Sequence, residues 1–350
     1  MKAALLKGQR EVILEEVAVP EIGEDEVLVE VKYCGICGGD LHSFKDGLPF
    51  QPGTYLGHEF SGVIARVGGD VKGWKPGDRV VANPTYVCGE CSACRHGRYS
   101  ICVHGFEHSL GCAAGKEHAG AFARYVRVPF VNWRLHRLPD EISFEEGALI
   151  EPLACSLHAV RRSAVRPGDQ VMVLGAGPMG LGVIAFLKNA GASLIIATEL
   201  VQKRVELAKR FGADHVFNPQ ETPNLREEVL RLTAGEGVDV VFDCSGLAHV
   251  FQSATQYLKT GGQILLVGVI EKEVAIYPMD FVVYEWELKA SVAHYADEFP
   301  MVIKFLQKGS LPTSEMITSK IKLSNLVKDG FEALTTPGNK EIKIIVEPDD

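Results

Sequence analysis

The segment "CGECSACRHGRYSIC" sets Cys88, Cys91, Cys94 and Cys102 in the spacing C-x2-C-x2-C-x7-C. Four thiolates this close can complete a tetrahedral shell around zinc and leave no coordination position open. Such a site orders the chain around it and does no chemistry of its own. An iron–sulfur cluster is the competing occupant. A further pair, Cys34 and Cys37 in "YCGICGGDLH", has the spacing of a zinc knuckle or a redox pair.

A second chemical signature is "VMVLGAGPMG", with Gly175, Gly177 and Gly180 directly after an apolar run. Gly175 permits a tight turn, Gly177 lets the backbone approach a pyrophosphate, and Gly180 lets helix and strand pack closely. The pyrophosphate would rest on the helix N-terminus, where free N–H groups and the helix dipole favour an anion. Glu199 ends the next strand, 19 residues past Gly180. Its carboxylate would bond the adenosine ribose hydroxyls and repel a 2′-phosphate, so NAD is expected over NADP. The rivals are a structural βα turn and a methyltransferase glycine loop. The cysteine cluster argues against the latter.

These groups need scaffolds. The chain has 350 residues, enough for two domains. Its first 150 or so residues read as β-rich: "EVLVEVKYCG" alternates apolar and polar residues, and "FSGVIARVG" and "GDRVVANP" are short β-branched runs bounded by Gly and Pro. After "SAVRPGDQ" strands alternate with helical periods: "QVMVLGAG", "SLIIATE", "QKRVELAKRFG", "VDVVFDCSG", "HVFQSATQYLK" and "GQILLVGV". That alternation predicts βαβ units around a parallel sheet. The pattern turns mixed again after "LKASVAHYADEFP" and ends on a strand in "EIKIIVEP". A parallel α/β domain inserted into a β-rich one is therefore expected.

Composition narrows the function. The net charge is −9 with no basic run, which argues against nucleic acid as a partner. No apolar stretch reaches the roughly 20 residues of a membrane span. Lys7, Arg10 and Glu11 break the apolar run that a signal peptide requires. A reducing, cytoplasmic setting is expected, with the nine cysteines serving metal sites or packing rather than disulfides.

Taken together, "CGICGGDLH", "GHEFSG", the four-cysteine lobe, "ALIEPLACSLHA" and "GAGPMG" resemble the zinc-dependent medium-chain dehydrogenases, in particular their polyol branch of sorbitol, butanediol and threonine dehydrogenases. The resemblance spans essentially the whole chain. It implies a Rossmann doubly wound parallel sheet domain (154–295) inserted into a GroES-like catalytic domain (1–153 and 296–350), with a structural zinc lobe at about 86–104. It implies two zinc ions per chain and NAD. The catalytic zinc would be held by Cys37, by His58, and by Glu59 or Glu151, which could exchange at the metal. Cys34 then reads as a small buried hydrophobe rather than a ligand, as do Cys112, Cys155 and Cys244. His58 alone would pass for a core histidine, and Glu59 for a partner behind the ligands.

The resemblance further implies cofactor contacts at Met179, Arg204, Val267, Gly268, Val269, Val292 and Ala293. Arg204 reads equally as a solvated helix residue. Substrate contacts are implied at Phe44, His294 and Tyr295, the last two standing where polyol dehydrogenases carry an Arg–Tyr pair. The departure puts polyol specificity in question. His104, His108 and His118 either shape the cleft or are loop residues. His42 would pass the alcohol proton to solvent, but the hydroxyl expected before it is replaced by Gly39. The implied activity is hydride transfer between NAD and a secondary alcohol: a diol, polyol, cyclitol or sugar derivative. The alternatives are a non-catalytic zinc and nucleotide-binding protein, and a threonine or sugar-phosphate dehydrogenase. The reaction would occur between the domains, in a homodimer or homotetramer.

Overall fold

The computed structural model describes residues 1–336 and 338–348. They form two compact units, Met1–Pro152 with the segment from His294 onward, and Leu153–Ala293.

The first unit is built around the strand Val27–Gly35, with Val27, Val29 and Val31 buried. It belongs to a seven-stranded sheet. Antiparallel partners flank it: Glu59–Val67, which places Glu59 opposite Gly35, and Tyr125–Val128. The last strand, Lys343–Glu347, joins antiparallel at the strand's end, with Ile345 opposite Gly35 and Val346 opposite Cys34. Strands Arg79–Ala82 and Leu135–Arg137 extend the sheet on one side, and Ile317–Lys322 on the other. Phe60, Ile64, Val80, Phe122 and Phe331 lie in the core of this unit. Residues from opposite ends of the chain thus meet at Gly35, just before Cys37.

Cys37 opens the helix Gly38–Asp46. Its thiol accepts from Gly39 N at 3.4 Å, and the Asp40 carboxylate accepts from Cys37 N at 2.9 Å. This reciprocal cap satisfies backbone donors that a helix start otherwise leaves open. Gly47, at φ 81°, ends the helix in the left-handed conformation that favours glycine.

The second unit holds a six-stranded parallel sheet. Its spatial order is His215–Phe217, Leu194–Thr198, Gln170–Leu174, Val238–Asp243, Leu258–Leu266 and Glu287–Ala290. Numbered along the chain, that is 3-2-1-4-5-6, the doubly wound dinucleotide-binding order. Val171, Met172 and Val173 are fully buried, as a sheet covered on both faces requires. The expected helix over "HVFQSATQYLK" is shorter than its pattern: Ala248–Ser253 is α-helical, and Ala254–Tyr257 tightens into a 3₁₀ turn before the next strand. A helix at Pro178–Ala190 carries Pro at its first position and a left-handed Gly191 at its end. No helix among the described residues is long and apolar enough to cross a membrane.

Candidate functional site

Three side chains in the first unit converge on one point. Ligand atoms of Cys37, His58 and Glu59 all lie within 4.8 Å of one another. His58 and Glu59 are buried, and Cys37 is half-buried. Their approach depends on tight backbone. A Cβ on Gly57, at φ 99°, would lie 2.4 Å from Phe122 N. Behind His58, Asp40 is fully buried with Oδ1 3.8 Å from His58 Nδ1. Neither atom has a hydrogen-bond partner. Burial raises the Asp40 carboxyl to about 6, against the pull of His58. Burial opposes a charge on His58 itself, yet Cys112, Cys37 and Asp40 around it outweigh that and hold its pKa well above the ordinary value.

Beneath the trio lies Lys343, 3% exposed, from the last strand. Its Nζ pairs with Glu59 Oε2 and donates to the Ile36 carbonyl at 2.8 Å. Burial works against the ammonium, but Glu59, Cys37 and Glu151 more than offset it, so its pKa stands above the ordinary value. Gly35 makes room for the pair: a Cβ there would meet Glu59 Oε2 at 2.3 Å and Lys343 Cε at 2.9 Å.

Glu151, in the first turn of the helix Ile150–Arg162, stands outside the tight trio. Its Oε1 lies 3.3 Å from Nε2 of His294, which is buried. Burial pushes the Glu151 carboxyl up, and His294 pulls it below the usual range. His294 in turn packs edge-on to Phe299 at 5.0 Å. Tyr295 is half-buried, its ring 5.9 Å from that of Tyr99. Phe44 is enclosed in the core, 5.3 Å from Phe331. His42 lies one turn along the Cys37 helix, with Nδ1 4.0 Å from Asp46 Oδ2. At position 39 a Cβ would stand 3.2 Å from Phe50 Cζ. The bare glycine is therefore packed against an aromatic ring rather than open to a larger substrate carbon.

The four thiols of Cys88, Cys91, Cys94 and Cys102 also lie within 4.8 Å of one another. Backbone N–H groups point at the sulfurs: Cys88 N to Cys102 Sγ at 3.3 Å, Cys91 N to Cys88 Sγ at 3.3 Å, Cys94 N to Cys91 Sγ at 3.5 Å. Donors of this kind favour thiolate, and bonds from Cys94 and Val103 lower the Cys91 pKa to about 6.

In the second unit the glycine turn follows the strand Gln170–Leu174. Gly175 has φ 89°, and a Cβ on Gly180 would lie 2.0 Å from the Gly175 carbonyl. Gly177 caps the helix and has open space where a Cβ would be. Glu199 accepts from Ala176 N at 3.1 Å, and from Leu200 N and Val201 N at 2.8 and 3.0 Å. These bonds tie the acidic residue to the glycine turn. Met179 lies in the first turn of the capped helix, and its carbonyl accepts from Ser156. Arg204 is half-buried on the helix Gln202–Phe211. Val267, Gly268 and Val269 follow the strand Leu258–Leu266, and Val292 and Ala293 follow Glu287–Ala290. All these segments lie past carboxyl ends of the parallel strands, where such sheets bind ligands.

Residues 23–140 match the alcohol dehydrogenase GroES-like domain, and residues 178–308 match the zinc-binding dehydrogenase domain. The chain is 37% identical over 361 residues to (R,R)-butanediol dehydrogenase of Bacillus subtilis, covering 99% of this chain and 100% of that protein. It is 36% identical over 357 residues to sorbitol dehydrogenase of the same organism, covering 99% and 97%. It superimposes on the crystal structure of 2R,3R-butanediol dehydrogenase from Bacillus subtilis with a TM-score of 0.88, at 36% identity and 99% coverage of both chains. The chain belongs to the zinc-dependent medium-chain dehydrogenases. It is a zinc-dependent alcohol or polyol dehydrogenase.

The donor sets suit zinc. Four clustered thiols bonded by backbone N–H groups make a closed structural shell. Thiol, imidazole and carboxylate make a catalytic type of set, and Asp40 behind His58 is the carboxylate that typically orients a ligating imidazole. Three residues in this dehydrogenase escaped the motifs. Lys343 had a signal, a lone cation in the apolar run "EIKIIVEP". Cys112 interacts with His58 across a long loop, and nothing local announces it. Ser245, against the Gly175 turn, bonds Asp243 Oδ1 through both N and Oγ. It follows the strand "VDVVFD", whose end faces the same turn.

Lys343→Met should leave Glu59 buried without its counter-charge. Breaking a buried pair typically costs about 3–5 kcal/mol. Thermal melts of metal-free protein should fall accordingly, and zinc should restore part of the loss by neutralising Glu59. An equal fall with and without zinc would show that Lys343 and metal do not share that carboxylate.

Proposed function

We propose that this dehydrogenase transfers hydride reversibly between NAD and a secondary alcohol of the diol, polyol, cyclitol or sugar-derivative class. The observation that carries this is the buried Cys37–His58–Glu59 trio in a chain that also holds the glycine turn and Glu199. Sorbitol and butanediol dehydrogenases among its relatives support the substrate class. In this reading Cys37, His58 and Glu59 hold the catalytic zinc, with Glu151 the carboxylate that can approach it, and Cys88, Cys91, Cys94 and Cys102 hold the structural one. Zinc would act there as a Lewis acid on the substrate oxygen. NAD would take up the hydride.

The protein's own groups do the rest. Asp40, 3.8 Å behind His58 Nδ1, is placed to orient the ring once zinc takes its other nitrogen. Lys343 offsets the charge that Cys37 and Glu59 bring into a buried place. Gly177 lets backbone N–H groups approach the cofactor pyrophosphate, with Met179, Arg204, Val267–Val269, Val292 and Ala293 along the same rim. Glu199, already fixed by the turn, is placed to accept from ribose hydroxyls and to repel a 2′-phosphate. His294 holds Glu151, and it takes the place of an arginine in the substrate pocket, with Tyr295 beside it.

A second copy of the chain is the partner we propose. The edge strand Glu287–Ala290 is exposed along its length, and the helix Pro278–Val283 before it has no fully buried residue, only Phe281 packing inward. Val282 is 77% exposed, and Tyr277, Met279 and Val283 are exposed beside it. Open edges and contiguous apolar patches are what interfaces cover. A two-fold axis through Leu288 would set Glu287 of one copy against Lys289 of the other, which suits an antiparallel pairing of like strands. Sites made of free thiols fit a reducing compartment, so we place the protein in the cytoplasm.

Cys37→Ser and His58→Ala should each abolish turnover and remove one of the two zinc equivalents. NAD should still bind, since the glycine turn is untouched. Retained activity in either variant would reject the catalytic-zinc assignment. Glu199→Ala should shift kcat/KM toward NADP by roughly 10- to 100-fold relative to NAD; a wild type that already prefers NADP would overturn the cofactor assignment. Val282→Asp should lower the mass measured by light scattering to that of a smaller assembly. An unchanged mass would remove this face from the interface.

A further inference from the structure

Arg134 is the largest side chain in the protein with no solvent exposure. It closes the short helical turn Val131–Arg134. Its Nε donates to the Thr85 carbonyl at 3.2 Å and its Nη2 to the His108 carbonyl at 2.7 Å. Its Nη1 is buried without an acceptor. Among the described residues no carboxylate pairs with it. Its charged or ionisable neighbours include the Cys112 thiol, the Tyr86 phenol, His118 and a second cation, Arg127, and the Phe130 ring lies 5.6 Å from its guanidinium. Burial lowers its pKa only to about 10, so it remains a cation at neutral pH. A buried charge without a counter-ion is destabilising by several kcal/mol, and two carbonyls offset only part of that. The fold therefore keeps a costly positive charge in place.

That charge lies under the loop that returns from the four-cysteine lobe. The rings of His108 and His118 on this loop are 5.2 Å apart, and Tyr86 lies 4.8 Å from His108. Tyr86 and His118 are half-buried and His108 is exposed, so their polar edges can be reached from solvent. Burial lowers the His118 pKa, and His108, Arg134 and Arg127 lower it further, against Glu117. Glu117 is 3.8 Å from His118 but largely solvated. Arg127 is itself paired with Glu26 at 3.4 Å, so the uncompensated cation under the loop is Arg134. Phe106, on the same loop, packs 5.8 Å from the ring of Phe50, which stands edge-on to His58 at 5.8 Å, so the loop reaches from this charge to the metal trio. A neutral polyol would make no use of it.

We infer that the substrate of this dehydrogenase carries an anionic group, a phosphate or a carboxylate, seated against Tyr86, His108 and His118 with Arg134 as the buried counter-charge. The inference rests on the dehydrogenase reading above and narrows its substrate class to acidic sugar derivatives. It also gives His108 and His118 on this loop a role beyond connection.

Binding and turnover test it separately. Inorganic phosphate and gluconate are titrated into the zinc-loaded wild type by calorimetry at fixed ionic strength. At least one should bind, and which one distinguishes phosphate from carboxylate. Arg134→Gln should weaken that binding roughly 10- to 100-fold, and Arg134→Lys should restore part of it. Arg134 also ties two carbonyls, so a variant that fails to fold is replaced by His118→Gln, which should weaken binding in the same direction. In turnover, a polyol phosphate or polyhydroxy acid should exceed the matching neutral polyol in kcat/KM, and the variants should lose that advantage through KM. If neither anion binds the wild type, or neutral polyols are preferred, the inference falls while the dehydrogenase reading stands. If anions bind but no alcohol is oxidised with NAD or NADP, the dehydrogenase reading falls instead.

Discussion

The pairing of Lys343 with Glu59 is the constraint on which the first unit turns. Two opposite charges, 3% and 1% exposed, must meet in a place with no water to screen them. Each would be strongly destabilising alone. They meet because the last strand pairs with Val27–Gly35 at its very end, and because Gly35 has no side chain. Lys343 and Ile36 are 307 residues apart, yet an ammonium–carbonyl bond joins them. The return of the chain after the inserted unit is thus part of the site, not an appendage to it. The β-rich unit cannot present Cys37, His58 and Glu59 together without its C-terminal strand.

The second unit solves a simpler problem by local means. Anion binding there needs free N–H groups, a short approach and a nearby acidic residue, and one strand–turn–helix supplies the first two. A Cβ on Gly180 would meet the Gly175 carbonyl, and Gly175 sits at φ 89°, so each position favours glycine for its own reason. Glu199 is then held by Ala176 N, and the acidic residue and the turn become one object. Nothing in this arrangement relies on residues distant in sequence beyond the neighbouring strand.

That contrast explains what could be read in the sequence. The four-cysteine lobe and the glycine turn are local: their ligands or donors fall within 15 and 10 residues, so spacing alone carries the chemistry. The alternation of strands and helices after residue 165 likewise predicts the parallel sheet, since each βαβ unit is a short-range pattern. The trio at Cys37, His58 and Glu59 was legible only through a family resemblance, since the ligands come from separate strands' ends. Cys112 and Ser245 were not legible, and Lys343 showed only as a lone cation in an apolar run. Lys343 reaches its partner through strand pairing and Cys112 across a long loop, while Ser245 bonds Asp243 two residues away, and a single Lys, Cys or Ser has no periodicity to betray it. The helix Pro178–Ala190 shows its cap residues plainly, whereas Pro278–Val283 has apolar side chains facing outward and so lacks the amphipathic period that marks a helix.

Gly39 shows how packing changes the meaning of a residue. In the sequence its missing side chain reads as a lost hydroxyl. In the fold the space belongs to Phe50, whose ring also stands edge-on to His58 at 5.8 Å and beside Phe106 at 5.8 Å. A Cβ at 39, 3.2 Å from Phe50 Cζ, would press on a ring that is itself 4% exposed. Glycine is retained there by an aromatic wall, and that wall gives the trio an apolar flank. The groups that do crowd the trio are Asp40 behind His58 and Lys343 beneath Glu59, with His294 on Glu151. Each comes from a different element: Asp40 from the Cys37 helix, Lys343 from the last strand, and His294 from the segment after Glu287–Ala290. Polar connections of this site thus join the start of the Cys37 helix to the C-terminal strand.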